Sequence, residues 1–163
     1  MRRGCYIIAE AGVNHNGSLE LARDLIAVAA DAGADAVKFQ TFKAENLVTL
    51  EAQKAAYQEA AMSDGGGQLE MLKRLEMDGA MHHDLIEFAK VKGIQFLSTA
   101  FDLESLSTLN EFGLPMFKIP SGEITNYQLL KAVARLGKPV VLSTGMADLG
   151  EIEEAIEVLL TFG

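Results

Sequence analysis

Short apolar runs alternate along the chain with longer segments whose apolar residues follow helical spacing. Four runs share one pattern: a helical segment ends in a glycine, a β-rich run follows, and a polar residue closes that run. These runs are residues 33–38, 93–98, 113–118 and 137–143. Glycine commonly follows a helix C-terminus, and loops of two or three residues commonly join a helix to a strand. With a first run at 6–9, closed by Glu10, the pattern predicts five βα units.

The segments between these runs are predicted to be helices. Ser18 is placed to N-cap the first of them, in which Leu21 and Leu25 follow helical spacing. The other predicted helices are residues 81–92, 102–112, 126–136 and 148–162. Nearly continuous apolar strands that alternate with helices indicate an α/β fold with a parallel sheet and right-handed crossovers. Residues 43–68 are predicted to be a mobile βα loop near the functional site.

The strand ends decide between two α/β architectures. A doubly wound sheet often carries a glycine-rich phosphate fingerprint after its first strand, and Gly12, Gly17 and Gly33 do not have that spacing. A (β/α)8 TIM barrel instead draws its functional residues from the C-terminal ends of many strands. Here all five strands end in polar residues: Glu10, Lys38, Ser98 with Thr99, Lys118, and Ser143 with Thr144. The sequence therefore predicts a barrel of this type. Because a barrel needs eight strands and about 250 residues, residues 1–163 are expected to be its incomplete N-terminal portion.

Composition narrows the range of partners. The chain is 49% hydrophobic and 23% charged, with a formal net charge of −9. So acidic a chain is a poor candidate for binding nucleic acid or an anionic membrane surface. No apolar stretch approaches the length of a membrane span or of a signal sequence, so a cytoplasmic protein is expected. The one cysteine, Cys5, excludes an internal disulfide and is expected to be buried and inert.

Two lysines are the most informative residues for chemistry. Lys38 and Lys118 each lie in or at the end of an apolar strand, where an unpaired ammonium group is energetically costly. A bound phosphate or carboxylate would account for both lysines in an otherwise acidic chain. The hydroxyl groups of Thr99, Ser121 and Ser143 lie at or just after strand ends and could hydrogen-bond the same anion.

Two carboxylates form a second candidate pair. Glu10 closes the first strand, and Glu123 follows Ser121 and Gly122 in the loop after the fourth strand. Gly122 permits a sharp turn that could aim Ser121 and Glu123 inward. Carboxylates in these positions could transfer a proton or accept hydrogen bonds from a polyol.

The histidines are not expected to bind a metal. His15 lies in a turn sequence, Asn14–Gly17, and is expected at the surface. His82 and His83 are adjacent at a helix start, so they occupy different faces and are expected to be solvated. No cluster in the sequence has convincing metal-ligand spacing.

Five ordered motifs carry a resemblance to a known family. They are IIAEAGVNHNGS at 7–18, ADAVKFQT at 34–41, FLSTAFD at 96–102, KIPSGE at 118–123 and LSTGM at 142–146. In this order and spacing the chain resembles the N-terminal part of the sialic acid synthase family, the bacterial N-acetylneuraminate synthases and their legionaminate and pseudaminate relatives. Ala100 and Leu69 depart from the usual family residues and are expected to alter packing only.

The resemblance implies a transferase that condenses phosphoenolpyruvate with an N-acylated hexosamine, such as N-acetylmannosamine, to a nonulosonic (sialic) acid. In such an enzyme, C3 of the enolpyruvate attacks the sugar aldehyde, which a divalent metal (Mn2+ or Mg2+) polarises. Water adds at C2, and phosphate leaves with C–O cleavage.

Family roles extend to matching positions in this chain. The resemblance implies that phosphoenolpyruvate is held by Lys38, Thr99, Lys118, Ser121 and Ser143. It implies that Glu10 and Gln40 face the sugar and that Glu123 manages a proton near the reacting carbons.

The resemblance also bears on the rest of the enzyme. It implies a homodimer whose metal-binding histidines and C-terminal antifreeze-like domain lie beyond residue 163. Residues 1–163 alone are therefore expected to lack synthase activity and to associate through open strand edges.

Two other interpretations remain. A pyruvate-type aldolase would use Lys118 or Lys38 as a Schiff-base nucleophile. A non-catalytic barrel fragment would persist only by pairing with a partner chain.

Overall fold

The computed structural model describes residues 4–48 and 67–163, which form five parallel strands and the helices that cover them. The strands are β1 (Ile8–Gly12), β2 (Ala36–Thr41), β3 (Gln95–Ala100), β4 (Phe117–Ile119) and β5 (Val140–Leu142). β1, β2 and β3 form one parallel sheet in chain order, and β4 pairs with β5 in a second. Since β3 lies beside β4, the five strands follow one another in space as they do in sequence. This is the arrangement of a partial (β/α)8 barrel, as predicted.

Helices connect successive strands. They are α1 (Leu19–Asp31), α2 (Ala44–Leu47), α3 (Gln68–Leu75), α4 (Gly79–Lys92), α5 (Leu103–Glu111), α6 (Tyr127–Ala134) and α7 (Leu149–Phe162). A short 3-10 turn, Ser121–Glu123, follows β4. The predicted helices at 81–92, 102–112, 126–136 and 148–162 are thus confirmed to within a few residues.

Capping residues explain where these helices begin. The side chains of Ser18, Asp78 and Asp102 accept hydrogen bonds from backbone amides of the first turns of α1, α4 and α5. Asp148 and Glu151 form a reciprocal capping box at the start of α7. The predicted glycines at the helix ends, Gly33, Gly93, Gly113 and Gly137, all have positive φ angles. They take the left-handed conformation that glycine adopts at little cost.

The core lies between the outer face of the sheet and the helices. Phe39 of β2 stacks on Phe96 of β3 with ring centroids 5.5 Å apart. Ile26 of α1 and Leu85 of α4 are fully buried in the same cluster. Side chains alternate along a strand, so while Phe39 packs outward against helices, Lys38 points to the interior of the barrel.

Three predictions of local detail need correction. β1, β2 and β3 run two or three residues beyond their predicted ends, so Glu10 and Lys38 lie within strands. The ladder continues there because backbone hydrogen bonds do not require apolar side chains. Cys5 is exposed, since it precedes β1 outside the sheet. Within the predicted loop at 43–68, α2 and the start of α3 are helical, whereas 49–66 lie outside the described residues.

Candidate functional site

A cavity of about 260 Å3 opens at the C-terminal ends of the strands. It is lined by Glu10, Lys38, Gln40, Thr99, Phe101, Lys118, Pro120, Ser121 and Ser143. Seven of the eight residues proposed from the sequence are in this set. The parallel topology predicted from the sequence places strand ends together, and the cavity does bring together Glu10, Lys38, Thr99, Lys118, Ser121 and Ser143. Their chemical roles remain predictions.

Strand register brings the side chains together. Glu10 of β1 lies opposite Lys38 of β2, and Gln40 of β2 lies opposite Thr99 of β3. Lys38 and Gln40 are two residues apart, so both point to the interior. A β-bulge between Glu10 and Gly12 interrupts the ladder next to the cavity.

Lys38 is the most buried charge in the cavity. Only 7% of the residue is exposed, and its Nζ lies 2.6 Å from Glu10 Oε2. The same nitrogen donates a hydrogen bond to Thr99 Oγ1 at 3.2 Å. These two partners stabilise an ammonium group that would otherwise be costly to bury.

Lys118 approaches the cavity from β4. Its Nζ donates to the Ile119 carbonyl oxygen at 2.8 Å and to Ser143 Oγ. Burial lowers the pKa of the Lys118 ammonium, and the nearby positive charge of Lys38 lowers it further, while Glu10 acts in the opposite direction. The positive charge of Lys38 that lowers this pKa would also attract an incoming negative charge.

The charge balance of the lining residues supports the same conclusion. Two ammonium groups, Lys38 and Lys118, face one carboxylate, Glu10. The hydroxyls of Thr99, Ser121 and Ser143 surround them. A locally positive cavity in a chain of net charge −9 is suited to a small anion that accepts several hydrogen bonds.

Glu123 lies apart from this group. It is in the 3-10 turn after β4 and is not among the cavity-lining residues. Its Oε2 accepts a hydrogen bond from Asn126 Nδ2 at 2.7 Å. The role that the family resemblance implies for Glu123 remains a prediction.

Two lining residues were not proposed from the sequence. Phe101 follows the end of β3, two residues after Thr99, and the alternation of side chains along the strand could have placed it on the same face. Pro120 precedes Ser121, and no local sequence signal distinguishes it from an ordinary loop proline. Together they add apolar surface to a cavity that is otherwise polar.

The predicted exposure of two histidines is wrong. His82 is 1% exposed because its ring stacks on Phe112, with centroids 5.5 Å apart. Its Nδ1 lies 2.8 Å from the Asp78 carbonyl oxygen and therefore donates to it. Its Nε2 then accepts from Thr41 Oγ1 at 2.8 Å. Burial lowers the pKa of His82, in keeping with this neutral form.

His15 is fully buried rather than at the surface. Its ring lies 6.0 Å from that of Phe39, and its Nδ1 accepts a hydrogen bond from the Gly17 amide at 3.0 Å. Burial lowers its pKa, with a further contribution from His82. His15 thus holds the turn between β1 and α1 against the sheet.

Residues 4–48 and 67–163 contain no group of three or more His, Cys, Asp or Glu side chains that could hold a metal ion. In the same residues, no helix combines the length and the apolar character needed to cross a membrane.

Comparison with known proteins identifies relatives of this chain. A model described as the NeuB family matches residues 25–162. The chain is 59% identical over 157 residues to the N,N'-diacetyllegionaminic acid synthase of Campylobacter jejuni, covering 96% of this chain and 47% of that protein. The corresponding synthase of Legionella pneumophila is 50% identical over 155 residues, covering 95% of this chain and 44% of that protein.

A solved structure shows the same fold. The N-acetylneuraminic acid (sialic acid) synthetase of Leptospira borgpetersenii matches with a TM-score of 0.81 and 37% identity, over 96% of this chain and 50% of that chain. The chain therefore spans about half the length of these relatives. The family match over most of its residues, together with these relatives and the strand-end cavity, shows that the chain belongs to the NeuB family.

Proposed function

We propose that this protein takes part in the condensation of phosphoenolpyruvate with an N-acylated hexosamine, which yields a nonulosonic acid and phosphate. The observation that carries the proposal is the convergence of Lys38 and Lys118, with three hydroxyl groups, on one cavity. Phosphoenolpyruvate carries a phosphate and a carboxylate, so two cationic donors close together suit it. The names of the relatives, synthases of legionaminic and N-acetylneuraminic acid, support the same reaction class.

The reaction can be written with its atoms balanced. C3 of phosphoenolpyruvate forms a bond to the aldehyde carbon of the sugar, and water adds at C2. The C2–O bond to phosphate then breaks, phosphate leaves with the bonding electrons, and C2 becomes a ketone. One proton of the added water ends on the former aldehyde oxygen and the other leaves with phosphate. Lys38 and Lys118 would hold the negative charge of the phosphate and carboxylate throughout. Thr99, Ser121 and Ser143 would orient the same groups.

The remaining polar residues would bind the sugar and transfer protons. Glu10 and Gln40 line the cavity beside the anion donors and are suited to bind sugar hydroxyls. Glu123 would have to leave Asn126 and turn toward the cavity to carry a proton.

We also propose a divalent metal (Mn2+ or Mg2+), a homodimer and a cytoplasmic location for the enzyme. The described residues do not provide a ligand set for the metal, and none of the steps above depends on it. We propose, too, that residues 1–163 form the N-terminal portion of a synthase barrel.

The direct test is an assay of the protein at its natural length. Phosphate release is measured with phosphoenolpyruvate, Mn2+ and either N-acetylmannosamine or a di-N-acetylated hexose. We expect release that requires both phosphoenolpyruvate and one of the sugars. Release that is independent of any sugar, or no release with either, contradicts the proposal.

A Schiff-base aldolase is the second candidate, and one observation favours it. The pKa of Lys118 is lowered by burial and by Lys38, and a lysine with a lowered pKa is a better amine nucleophile. Borohydride treatment with pyruvate separates the two functions. A covalent adduct on Lys118 would favour the aldolase, whereas the synthase requires no adduct.

The lowered pKa of Lys118 predicts a pH dependence of anion binding. Only the ammonium form attracts the anion, so affinity for phosphoenolpyruvate should fall as the pH rises through this pKa. The fall should begin at a lower pH than for an ordinary lysine. The loss of affinity is measured by calorimetric titration at pH values well above 6. Phosphate monoesters lose their second proton at about pH 6, so the charge of the ligand then stays constant.

Lys118→Arg is the matched control, because a guanidinium group stays charged across this range. Its affinity should be weaker than wild type but should not fall over the same pH interval. An equal fall in both proteins would show that another group is responsible.

A further inference from the structure

The Glu10 carboxylate occupies a place that a ligand anion would need. Its Oε2 lies 2.6 Å from Lys38 Nζ, and the Glu10 side chain is 54% exposed, against 9% for that of Lys38. Both side chains line the same cavity. An anion that uses Lys38 as a donor would therefore compete with Glu10 for the same nitrogen.

The second lysine, Lys118, favours a ligand anion over Glu10 in this competition. Lys118 donates to a backbone carbonyl and to Ser143, and no ion pair to it is found in the described part of the chain. One carboxylate thus serves a cavity with two ammonium groups. Because both lysines line the cavity, a phosphate or carboxylate bound there would be attracted by both, whereas Glu10 forms an ion pair with Lys38.

The ion pair between Glu10 and Lys38 can also open at a small cost in free energy. Its side chain is flexible and half exposed, so water can solvate the carboxylate once the ion pair opens. Its other oxygen lies near Gly12, where an added Cβ would be 3.5 Å from Glu10 Oε1 and 3.7 Å from Gln40 Nε2. Glu10 and Gln40 line the same part of the cavity, so a released carboxylate would lie near an amide that could bind the same hydroxyl groups.

We propose that Glu10 is the resident counter-ion of this cavity, and that a bound anion replaces it at Lys38 and frees its carboxylate for the hydroxyls of a second substrate. The exchange itself requires only an anion, whereas the identity of the second substrate rests on the proposed function. A consequence is that the anionic substrate prepares the site for the sugar.

Calorimetric titration with inorganic phosphate and with phosphoenolpyruvate tests the exchange. The proteins are wild type, Glu10→Gln and Glu87→Gln, each at natural length. Glu10→Gln removes the competing charge with little change of shape, so both anions should bind about tenfold more tightly. Glu87→Gln removes an equal charge from an exposed ion pair with Lys90 and should leave affinity unchanged. Unchanged or weaker anion binding by a Glu10→Gln protein that melts like wild type overturns the proposal.

A crystal structure of the wild-type protein with phosphoenolpyruvate provides a test that needs no variant. The distance from Lys38 Nζ to Glu10 Oε2 should exceed about 4 Å, the limit of an ion pair, with a ligand oxygen in its place. A retained Lys38–Glu10 pair beside the bound anion overturns the proposal, even if the enzyme is an active synthase. Exchange of Glu10 in a protein without synthase activity would instead contradict the proposed function alone.

Discussion

Lys118→Ala is expected to weaken the binding of phosphoenolpyruvate by about 1.5–3 kcal/mol, or roughly 10- to 150-fold in Kd. The change removes a half-buried ammonium that has no carboxylate of its own within the described residues and lies beside Lys38 and Ser143. Lys38 would then face the anion alone. Calorimetric titration at neutral pH measures the loss.

Lys138→Ala is the matched control. Lys138 precedes β5 at the opposite end of the sheet, where its Nζ donates to the Leu114 carbonyl oxygen at 2.9 Å. It also lies over the Phe117 ring at 5.4 Å, so its removal should cost some stability but no anion affinity. Equal losses of affinity from the two substitutions would reject the assignment of Lys118 to the anion site.

Gly17→Ala is expected to lower the free energy of unfolding by roughly 2–4 kcal/mol. Gly17 has a φ angle of +78°, and a Cβ there would lie 2.4 Å from the backbone oxygen of Arg74 at the end of α3. The turn after β1 would have to move away from α3, and the hydrogen bond from the Gly17 amide to buried His15 would be disturbed. Denaturant unfolding followed by circular dichroism measures the change.

Gly33→Ala separates backbone strain from the close contact. Gly33 has nearly the same φ angle, +79°, but no heavy atom lies within 4 Å of an added Cβ. Its substitution should therefore lower the free energy of unfolding by the backbone strain alone, about 1–2 kcal/mol. If the two substitutions lower the free energy of unfolding equally, the close approach of the turn to α3 does not add to the effect of Gly17→Ala.

Much of the fold could be predicted because its signals are local. The glycines that end helices, such as Gly93 and Gly137, take positive φ angles wherever the sequence predicts a helix end. The strand ends could not be placed as well. Polar residues such as Thr41 and Ser98 continue the ladder, and their hydroxyls bond each other on the outer face at 2.7 Å. An apolar pattern cannot reveal a strand that continues through polar residues.

The same distinction holds for the candidate site. The convergence of Lys38, Thr99 and Lys118 follows from strand ends and parallel topology, and the sequence predicts both. The burial of His82 depends on Phe112 and Thr41, which are distant in the chain. The local sequence around His82 therefore predicts an exposed side chain, which is wrong. The placement of Glu123 depends on its contact with Asn126 in a short turn, a detail that the motif around it does not specify.

We propose that phosphoenolpyruvate loses its phosphate at these strand ends through cleavage of the C–O bond. This cleavage is tested by supplying the natural-length protein with an N-acylated hexosamine, Mn2+ and phosphoenolpyruvate that carries oxygen-18 in the bridge between C2 and phosphorus. Mass spectrometry of the released phosphate then shows which bond broke. The synthase reaction predicts phosphate that retains the label, and Lys118→Ala should slow its release. Label left in the organic product, or no release that depends on the sugar, would contradict C–O cleavage by a synthase.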